Sequence, residues 1–170
     1  MRILTVRQPW AWAIIHGGKD VENRVRNIAG DYRGPVAIHV AMADAEGAPE
    51  SVWLAHADHY RLESDKPRKE WSWKDTNRGS IIGVVDLTDV HSASVIDGCG
   101  RMDHDCPEHG TCRKHCSEWA FGPHPDGGWY THLVLNNPRP LSHPVPYKGA
   151  LGLRQLDAET ASLIELLVRS

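Results

Sequence analysis

Three ionisable side chains lie close together near the N-terminus: Lys19, Glu22 and Arg24. An ammonium can neutralise a phosphate or polarise a carbonyl, a carboxylate can accept from an exocyclic amine such as cytosine N4, and a guanidinium can bind phosphate through two hydrogen bonds. In a strand, Glu22 and Arg24 would point to the same face, because side chains alternate with a period of two. The residues therefore predict a nucleotide pocket. The alternative is a surface charge cluster of little energetic consequence.

The preceding segment, Arg7-Gln8-Pro9-Trp10, adds groups that suit the same ligand. Proline is favoured at the first position of a helix, so Trp10 lies at a predicted helix start. Its ring could stack on a base, while Gln8 and the helix N-terminal amides approach an anionic group and Arg7 contacts phosphate. The alternative for Trp10 is a place in the core, where Trp12 is also expected.

Four cysteines form a second candidate site: Cys99, Cys106, Cys112 and Cys116, interleaved with histidines. Four soft ligands in one loop could hold a structural, tetrahedral Zn²⁺, although the pattern C-x6-C-x5-C-x3-C lacks a C-x2-C knuckle. Reduced cysteines in a mobile loop are one alternative. Disulfides are another, which a reducing compartment disfavours. Four cysteine ligands leave no position for a catalytic water, whereas a Cys/His mixture could keep one.

The charge distribution narrows the class of ligand. A net charge of −3 argues against a protein that binds nucleic acid by bulk electrostatics. Residues 1–40 nevertheless carry six Lys/Arg against three acids, whereas residues 41–70 carry four against seven. The cationic part of the chain is therefore the part that contains the predicted pocket.

The length of 170 residues and the apolar content of 41% predict one domain, 1–170, with an inserted Cys/His-rich loop at about 98–128. The first residues, Met1 to Val6, lack the apolar run of a signal sequence or a membrane span. A cytoplasmic protein without membrane association is expected.

Hydrophobic patterning predicts an α+β fold. Predicted strands cover 3–6, 35–40, 80–87, 131–135 and 149–153, with a proline-rich extended connector at 136–146 and an exposed loop at 63–79. Three helices are predicted. The first begins at Pro9, the second spans 48–62 with Val52, Leu54 and Ala55 as apolar residues, and the third follows a cap at Asp157. The last helix has an apolar stripe of Ala161, Leu163, Ile164, Leu167 and Val168.

Two blocks of the sequence resemble the paired signature of the ASCH domain family (activating signal cointegrator homology). The first runs from Ile3 to Ala11 through Arg-Gln-Pro-Trp, and the second is Gly17-Gly18-Lys19-Asp20-Val21-Glu22-Asn23-Arg24. Shorter blocks that fit the family begin at Tyr32, Ile38, Ile82, Asn137 and Pro144. The resemblance touches most of the chain except residues 41–79, 88–128 and the C-terminal helix.

This resemblance implies a PUA-like β-barrel with short peripheral helices and a cleft between the barrel and the helix after the first strand. It implies RNA, DNA or a nucleotide as the partner. It adds His39 and Lys148 to the ligand-binding candidates, although a histidine on a strand is more often structural.

Catalysis remains an alternative at this stage. Small bacterial ASCH-like enzymes suggest an amidohydrolase acting on N4-acylated cytosine nucleosides. Lys19 matches the lysine of their motif, but Glu22 stands where those enzymes have threonine, so Glu22 would have to act as a general base on water. A ribonuclease is a further alternative, for which no recognisable histidine pair is visible. A purely protein-binding role for the Cys-rich loop is the last.

Overall fold

The computed structural model describes residues 1–62, 70–71, 76–103 and 112–169. The strands in this part are β1 (Arg2–Gln8), β2 (Val21–Arg24), β3 (Gly34–Asp44), β4 (Ser80–Ser92), β5 (Arg101–Asp103), β6 (Cys112–Lys114), β7 (Thr131–Pro146) and β8 (Leu153–Gln155). The helices are α1 (Trp10–His16), α2 (Glu50–Tyr60) and α3 (Ala158–Arg169). The predicted α+β class is confirmed. Most of the loop predicted at 63–79 lies outside the described residues.

Six strands are hydrogen-bonded neighbours in the order β2-β7-β4-β3-β1-β8, and β5 pairs with β6 in a separate two-stranded sheet. Strands β2 and β8 stand at the two ends of this order. No pairing closes the sheet between them in the part of the chain that the structure describes, so the β-barrel stays a prediction.

The chain forms two compact units. Unit 1 contains Met1–Lys19, Gly34–Asp86 and Asn137–Ser170, and unit 2 contains Asp20–Arg33 and Leu87–Asn136. The organisation of 1–170 as a single domain stays a prediction.

The central strands of unit 1 are almost continuously apolar. Strand β1 pairs in parallel with β3, with Ile3 opposite Ala37 and Leu4 opposite Ile38, and all four side chains are buried. Parallel strands covered on both faces have this composition. Helix α1 packs on β4 at Gly83, where a Cβ would lie only 2.6 Å from Ile15 Cδ1. Glycine at this position lets α1 lie close to the sheet.

Helix α2 buries Trp53, His56 and Ala57. The predicted apolar face is wrong at Leu54, which is 51% exposed, and at Ala55, which is also exposed. The reason is tertiary packing, because an aromatic cluster that includes Trp71 draws the Trp53 face of the helix inward.

His56 occupies the middle of this aromatic cluster. Its ring centroid lies 5.4 Å from that of Trp53 and 5.9 Å from that of Trp71, and the side chain is completely buried. Neither ring nitrogen has a hydrogen-bond partner among the described residues. Burial, helped by the charges of Arg78 and His59, lowers the pKa of His56 to about 4. The ring is therefore neutral at physiological pH.

Helix α3 begins as predicted, because Asp157 Oδ1 accepts from the Thr160 backbone N–H at 2.8 Å. Ile164 is fully buried in the core, whereas Leu163 is 43% exposed and does not belong to the apolar stripe. The closing strand predicted at 149–153 is displaced, since β8 is Leu153–Gln155.

The segment 136–146 is extended, as predicted, but it is not a connector, because β7 continues through it to Pro146. Its prolines occupy alternate positions, at 138 and 140 and again at 144 and 146. In a strand, alternate N–H groups point to the same edge, so the missing donors fall on one side and the other edge can still pair. The fixed φ of proline is also compatible with an extended strand.

In unit 2, β2 pairs antiparallel with the beginning of β7, with Asn23 opposite His132 and Glu22 opposite Leu133. Part of the inserted loop is regular, because β5 and β6 form an antiparallel pair. Among the described residues, no helix is both long enough and apolar enough to cross a bilayer.

Candidate functional site

Lys19 and Trp10 are brought together in unit 1. Lys19 follows α1, where its backbone N–H donates to Ala13 O at 2.9 Å, and its side chain is buried with 4% exposed. Its Nζ lies 5.4 Å from the centroid of the half-buried Trp10 ring. An ammonium over an indole face is a cation–π contact. The two residues predicted to meet a phosphate and a base are therefore neighbours.

Gln8 lies within the protein at the start of α1. It is completely buried, its Nε2 donates to Thr76 O at 3.0 Å, and its Oε1 accepts from the Trp12 N–H at 3.0 Å. The Trp12 N–H is one of the first-turn donors that a helix leaves without an internal partner. Trp12 is 7% exposed, which confirms its predicted place in the core. Ligand contact by Gln8 stays a prediction. Its two hydrogen bonds give it a structural role that the sequence did not reveal.

Glu22 and Arg24 lie on one face of β2 in unit 2, as the strand period predicts. Arg24 Nη2 lies 3.1 Å from Glu22 Oε1, and the side chains are 30% and 10% exposed, respectively. The pair therefore presents a carboxylate and a guanidinium side by side. Lys19 belongs to unit 1.

The other predicted ligand-binding residues differ in exposure. Arg7 and Lys148 are exposed. His39 is 3% exposed, its Nε2 donates to Tyr147 O at 3.0 Å, and burial lowers its pKa. The ring fits because residue 149 is glycine, where a Cβ would lie 2.6 Å from His39 Cε1. A ligand-binding role for these residues stays a prediction.

A cluster of possible metal ligands forms in unit 2 from His91, Cys99, Cys116 and His132, named here the His/Cys cluster. One ligand atom from each lies within 4.8 Å of all the others. His132 Nδ1 is 3.2 Å from Cys99 Sγ and 3.5 Å from Cys116 Sγ, and His91 Nε2 is 3.3 Å from Cys116 Sγ. Burial and the neighbouring Cys99 raise the pKa of the Cys116 thiol to about 12. The cluster could hold a metal ion.

Both histidines of the His/Cys cluster are oriented by a partner on the far side of the ring. His132 Nε2 donates to Phe121 O at 2.8 Å, and His91 Nδ1 lies 2.6 Å from Asp89 Oδ2. A neutral imidazole that donates from one nitrogen offers a lone pair at the other. The lone pairs of His132 Nδ1 and His91 Nε2 therefore face the sulfur atoms.

Close backbone packing positions Cys99. Its N–H donates to Ser92 O at 3.0 Å. A Cβ at Gly98 would overlap Ser92 O, and one at Gly100 would lie 2.7 Å from Ala93 O. The two glycines allow the Cys99 segment to lie directly on the end of β4.

Of the four cysteines predicted as metal ligands, Cys99 and Cys116 lie in the His/Cys cluster. Cys106 lies outside the described residues, and only the backbone of Cys112 is described, in β6. The prediction missed His91 and His132, which lie on β4 and β7 outside the inserted loop. A carboxylate two residues before His91, on the same strand, was the one local signal that could have marked it.

The chain matches the family model of the ASCH domain over residues 4–122, which is more than half of its length. ASCH domains are part of the PUA-like superfamily. The chain belongs to the ASCH domain family. These domains are generally thought to bind RNA. The matched region contains the Lys19 to Arg24 segment and ends before β7.

Proposed function

We propose that this protein binds nucleic acid, RNA in first place, through the segment Arg7–Lys19 of unit 1, in a cleft beside α1. Membership of the ASCH family supports the class of partner. The observation that carries the proposal is the buried Lys19 ammonium, held 5.4 Å from the centroid of the Trp10 ring.

The environment of Lys19 strengthens its attraction for a phosphate. An ion pair in a partly buried site is screened less than one in water, so the same charge attracts an anion more strongly. The Trp10 ring remains half-exposed, which leaves surface on which a base can stack. A cation and an aromatic ring this close together offer one group for a phosphate and one for a base of the same strand.

The pair on β2 supplies a second kind of contact. The Arg24 guanidinium can bind a phosphate, while Glu22 can accept a hydrogen bond from an exocyclic amine of a base. Arg24 holds Glu22 at 3.1 Å, which fixes the direction of the carboxylate. Base preference at this strand of unit 2 would then depend on Glu22.

The test is a fluorescence titration of the full chain with short single-stranded and duplex RNA and DNA at two salt concentrations. The expected result is binding that weakens with salt and is strongest for RNA. Lys19→Met, which keeps the apolar stem and removes the charge, should weaken it, and Trp10→Ala should weaken single-strand binding most. Arg154→Gln is the control, since it removes an exposed cation of β8. No binding in any format at low salt would contradict the proposal.

Hydrolysis of an N4-acylated cytosine nucleoside is the second candidate. The observation that favours this hydrolysis is the Arg24 contact. It holds the Glu22 carboxylate in one orientation, as a general base requires. The measurement is turnover of N4-acetylcytidine, which Glu22→Gln and Lys19→Met should both abolish. Turnover that persists in both variants would exclude these residues as the catalytic pair.

In this proposal the His/Cys cluster has a structural role and takes no part in catalysis. Zn²⁺ is the ion proposed for it, and four protein ligands leave no open position for water or phosphate. Metal-dependent RNA cleavage is therefore not part of the proposed function.

A further inference from the structure

Unit 2 has a small apolar core. Among the described residues, the buried hydrophobic side chains of this unit are Val21, Ala29, Leu87, Ala93, Leu133 and Leu135. Two of them are alanines, which bury little area. Small units with a limited apolar core are often stabilised further by a cross-link or a bound metal.

We infer that His91, Cys99, Cys116 and His132 form a closed, tetrahedral Zn²⁺ site that stabilises unit 2. This ligand set replaces the four-cysteine set expected from the sequence. The inference does not depend on nucleic-acid binding.

The distances within the His/Cys cluster suit zinc. With Zn–S and Zn–N bonds of usual length, a tetrahedral ion separates nitrogen and sulfur ligands by about 3.6 Å. The observed separations are 3.2 Å for His132 and Cys99, 3.5 Å for His132 and Cys116, and 3.3 Å for His91 and Cys116. These three pairs therefore need shifts of only a few tenths of an ångström to hold an ion, and all four ligand atoms lie within 4.8 Å of one another.

The contacts around the His/Cys cluster are those that metal-bound histidines make. A metal-bound histidine usually donates its other N–H to a carboxylate or a backbone carbonyl. His91 has the carboxylate of Asp89 at 2.6 Å, and His132 has Phe121 O at 2.8 Å. A chance meeting of polar side chains would not require both rings to be oriented with the lone pair toward the thiols.

The donor set selects the ion. Two thiolates and two imidazoles in tetrahedral geometry are typical of Zn²⁺, whereas Mg²⁺ and Ca²⁺ require oxygen ligands. On binding, each thiol loses its proton to solvent and forms a Zn–S bond, so the step involves no change of oxidation state.

The four ligands come from separate parts of unit 2. His91 lies on β4, Cys99 lies before β5, Cys116 follows β6, and His132 lies on β7. A single ion would join the two ends of the β5–β6 hairpin to two strands of the large sheet. Metal binding and the folding of unit 2 are therefore expected to be coupled.

The test begins with wild-type protein under reducing conditions, stripped of metal with a chelator and titrated with Co²⁺ and then Zn²⁺. The expected result is one ion per chain by native mass spectrometry. Intense visible bands of tetrahedral Co²⁺ and thiolate-to-metal absorption should appear and then vanish as Zn²⁺ displaces Co²⁺. No bound ion would overturn the inference, as would a Cys99–Cys116 disulfide in freshly purified protein.

Variants then identify the ligands. Cys116→Ser and His91→Gln should each weaken Zn²⁺ binding by more than the roughly 10- to 100-fold that is typical when a residue hydrogen-bonded to a metal ligand is lost. Cys116 is exposed, so Cys116→Ser leaves no cavity in the core, and any loss of folding in this variant would come from the lost metal. His115→Ala is the matched control, because His115 is not one of the four residues whose ligand atoms all lie within 4.8 Å of one another.

The four-cysteine alternative makes the opposite prediction. If Cys106→Ser and Cys112→Ser abolish Zn²⁺ binding while His91→Gln and His132→Gln retain it, the ligand set proposed here is wrong. Retained binding in both serine variants, with loss in the His91 and Cys116 variants, is the result expected.

Discussion

Asn23 and His132 face each other across the antiparallel strands β2 and β7. Asn23 lies between the ion-paired Glu22 and Arg24, while His132 belongs to the His/Cys cluster. Both also contact Phe121: Asn23 Oδ1 accepts from its N–H at 2.9 Å, and His132 Nε2 donates to its carbonyl at 2.8 Å. Strand β2, which carries the ion pair, is thus joined to the proposed metal site. The connection runs through Asn23 and His132 and through the backbone of Phe121.

Replacing Asn23 should therefore destabilise unit 2. Asn23→Ala removes the bonds to Trp119 O and the Phe121 N–H and leaves both backbone groups without that partner. The expected loss in free energy of unfolding is about 1–3 kcal/mol, measured by urea denaturation with Zn²⁺ present. Asn136→Ala is the control, because it removes an exposed bond to Thr88 Oγ1 and should cost about 0.5 kcal/mol or less. Equal losses in the two variants would contradict this role of Asn23.

Asp89 should tune the affinity of the His/Cys cluster for metal. Its carboxylate accepts from His91 Nδ1 and thereby orients the ring. Asp89→Asn should weaken Zn²⁺ binding by about 10- to 100-fold, as measured by competition with a chromogenic chelator. Asp97→Asn, at an exposed acid of the same unit, should leave the affinity unchanged. An unchanged affinity in Asp89→Asn would show that Asp89 does not orient a metal ligand.

Removing the metal should loosen unit 2 selectively. Hydrogen exchange of the full chain, with and without a chelator, should show faster exchange in β2 and at Thr131–Val134, which pair with each other. Exchange in the paired parts of β1 and β3 should change little, because these strands belong to unit 1. Identical exchange in the two conditions would mean that no ion contributes to the fold.

His56 should make the protein less stable in mild acid. Its pKa falls from 6.5 to about 4 in the folded state, so between these pH values the unfolded chain binds more protons. The free energy of unfolding should be at its full value above pH 6.5 and decrease as the pH falls toward 4, by at most about 3 kcal/mol for this residue.

The variant that isolates this effect is His56→Phe, which keeps an aromatic ring and cannot titrate. Its stability should depend less on pH between 6.5 and 4 than that of the wild type, in denaturation measured at several pH values. His143→Gln, at an exposed position, should follow the wild type. If the stability of His56→Phe depended on pH as much as that of the wild type, a group other than His56 would cause the acid sensitivity.

Local sequence signals were enough for most elements of unit 1. The apolar runs of β1 and β4, Pro9 before α1 and the Asp157 cap each depend on neighbours in the chain, which a sequence displays directly. The exposed face of α2 could not be read in this way. Leu54 is more apolar than His56, yet His56 is buried, because the surrounding tryptophans decide which face of the helix turns inward.

The candidate sites also differ in whether their residues are neighbours in the chain or meet only in the folded protein. Lys19, Glu22 and Arg24 could be proposed as a site from the sequence, because they lie in one short segment. His91 and His132 could not, because they meet only when β4 and β7 are placed in the sheet. The structural role of Gln8 also depends on a distant partner, the carbonyl of Thr76.

The salt dependence of RNA binding tests the central proposal most directly. The measurement is the slope of log affinity against log salt concentration for the wild type, Lys19→Met and Arg154→Gln. If Lys19 contacts a phosphate, Lys19→Met should bind more weakly with a slope smaller by about one, and Arg154→Gln should match the wild type. A Lys19→Met protein with wild-type affinity and slope would contradict a nucleic-acid site at Lys19.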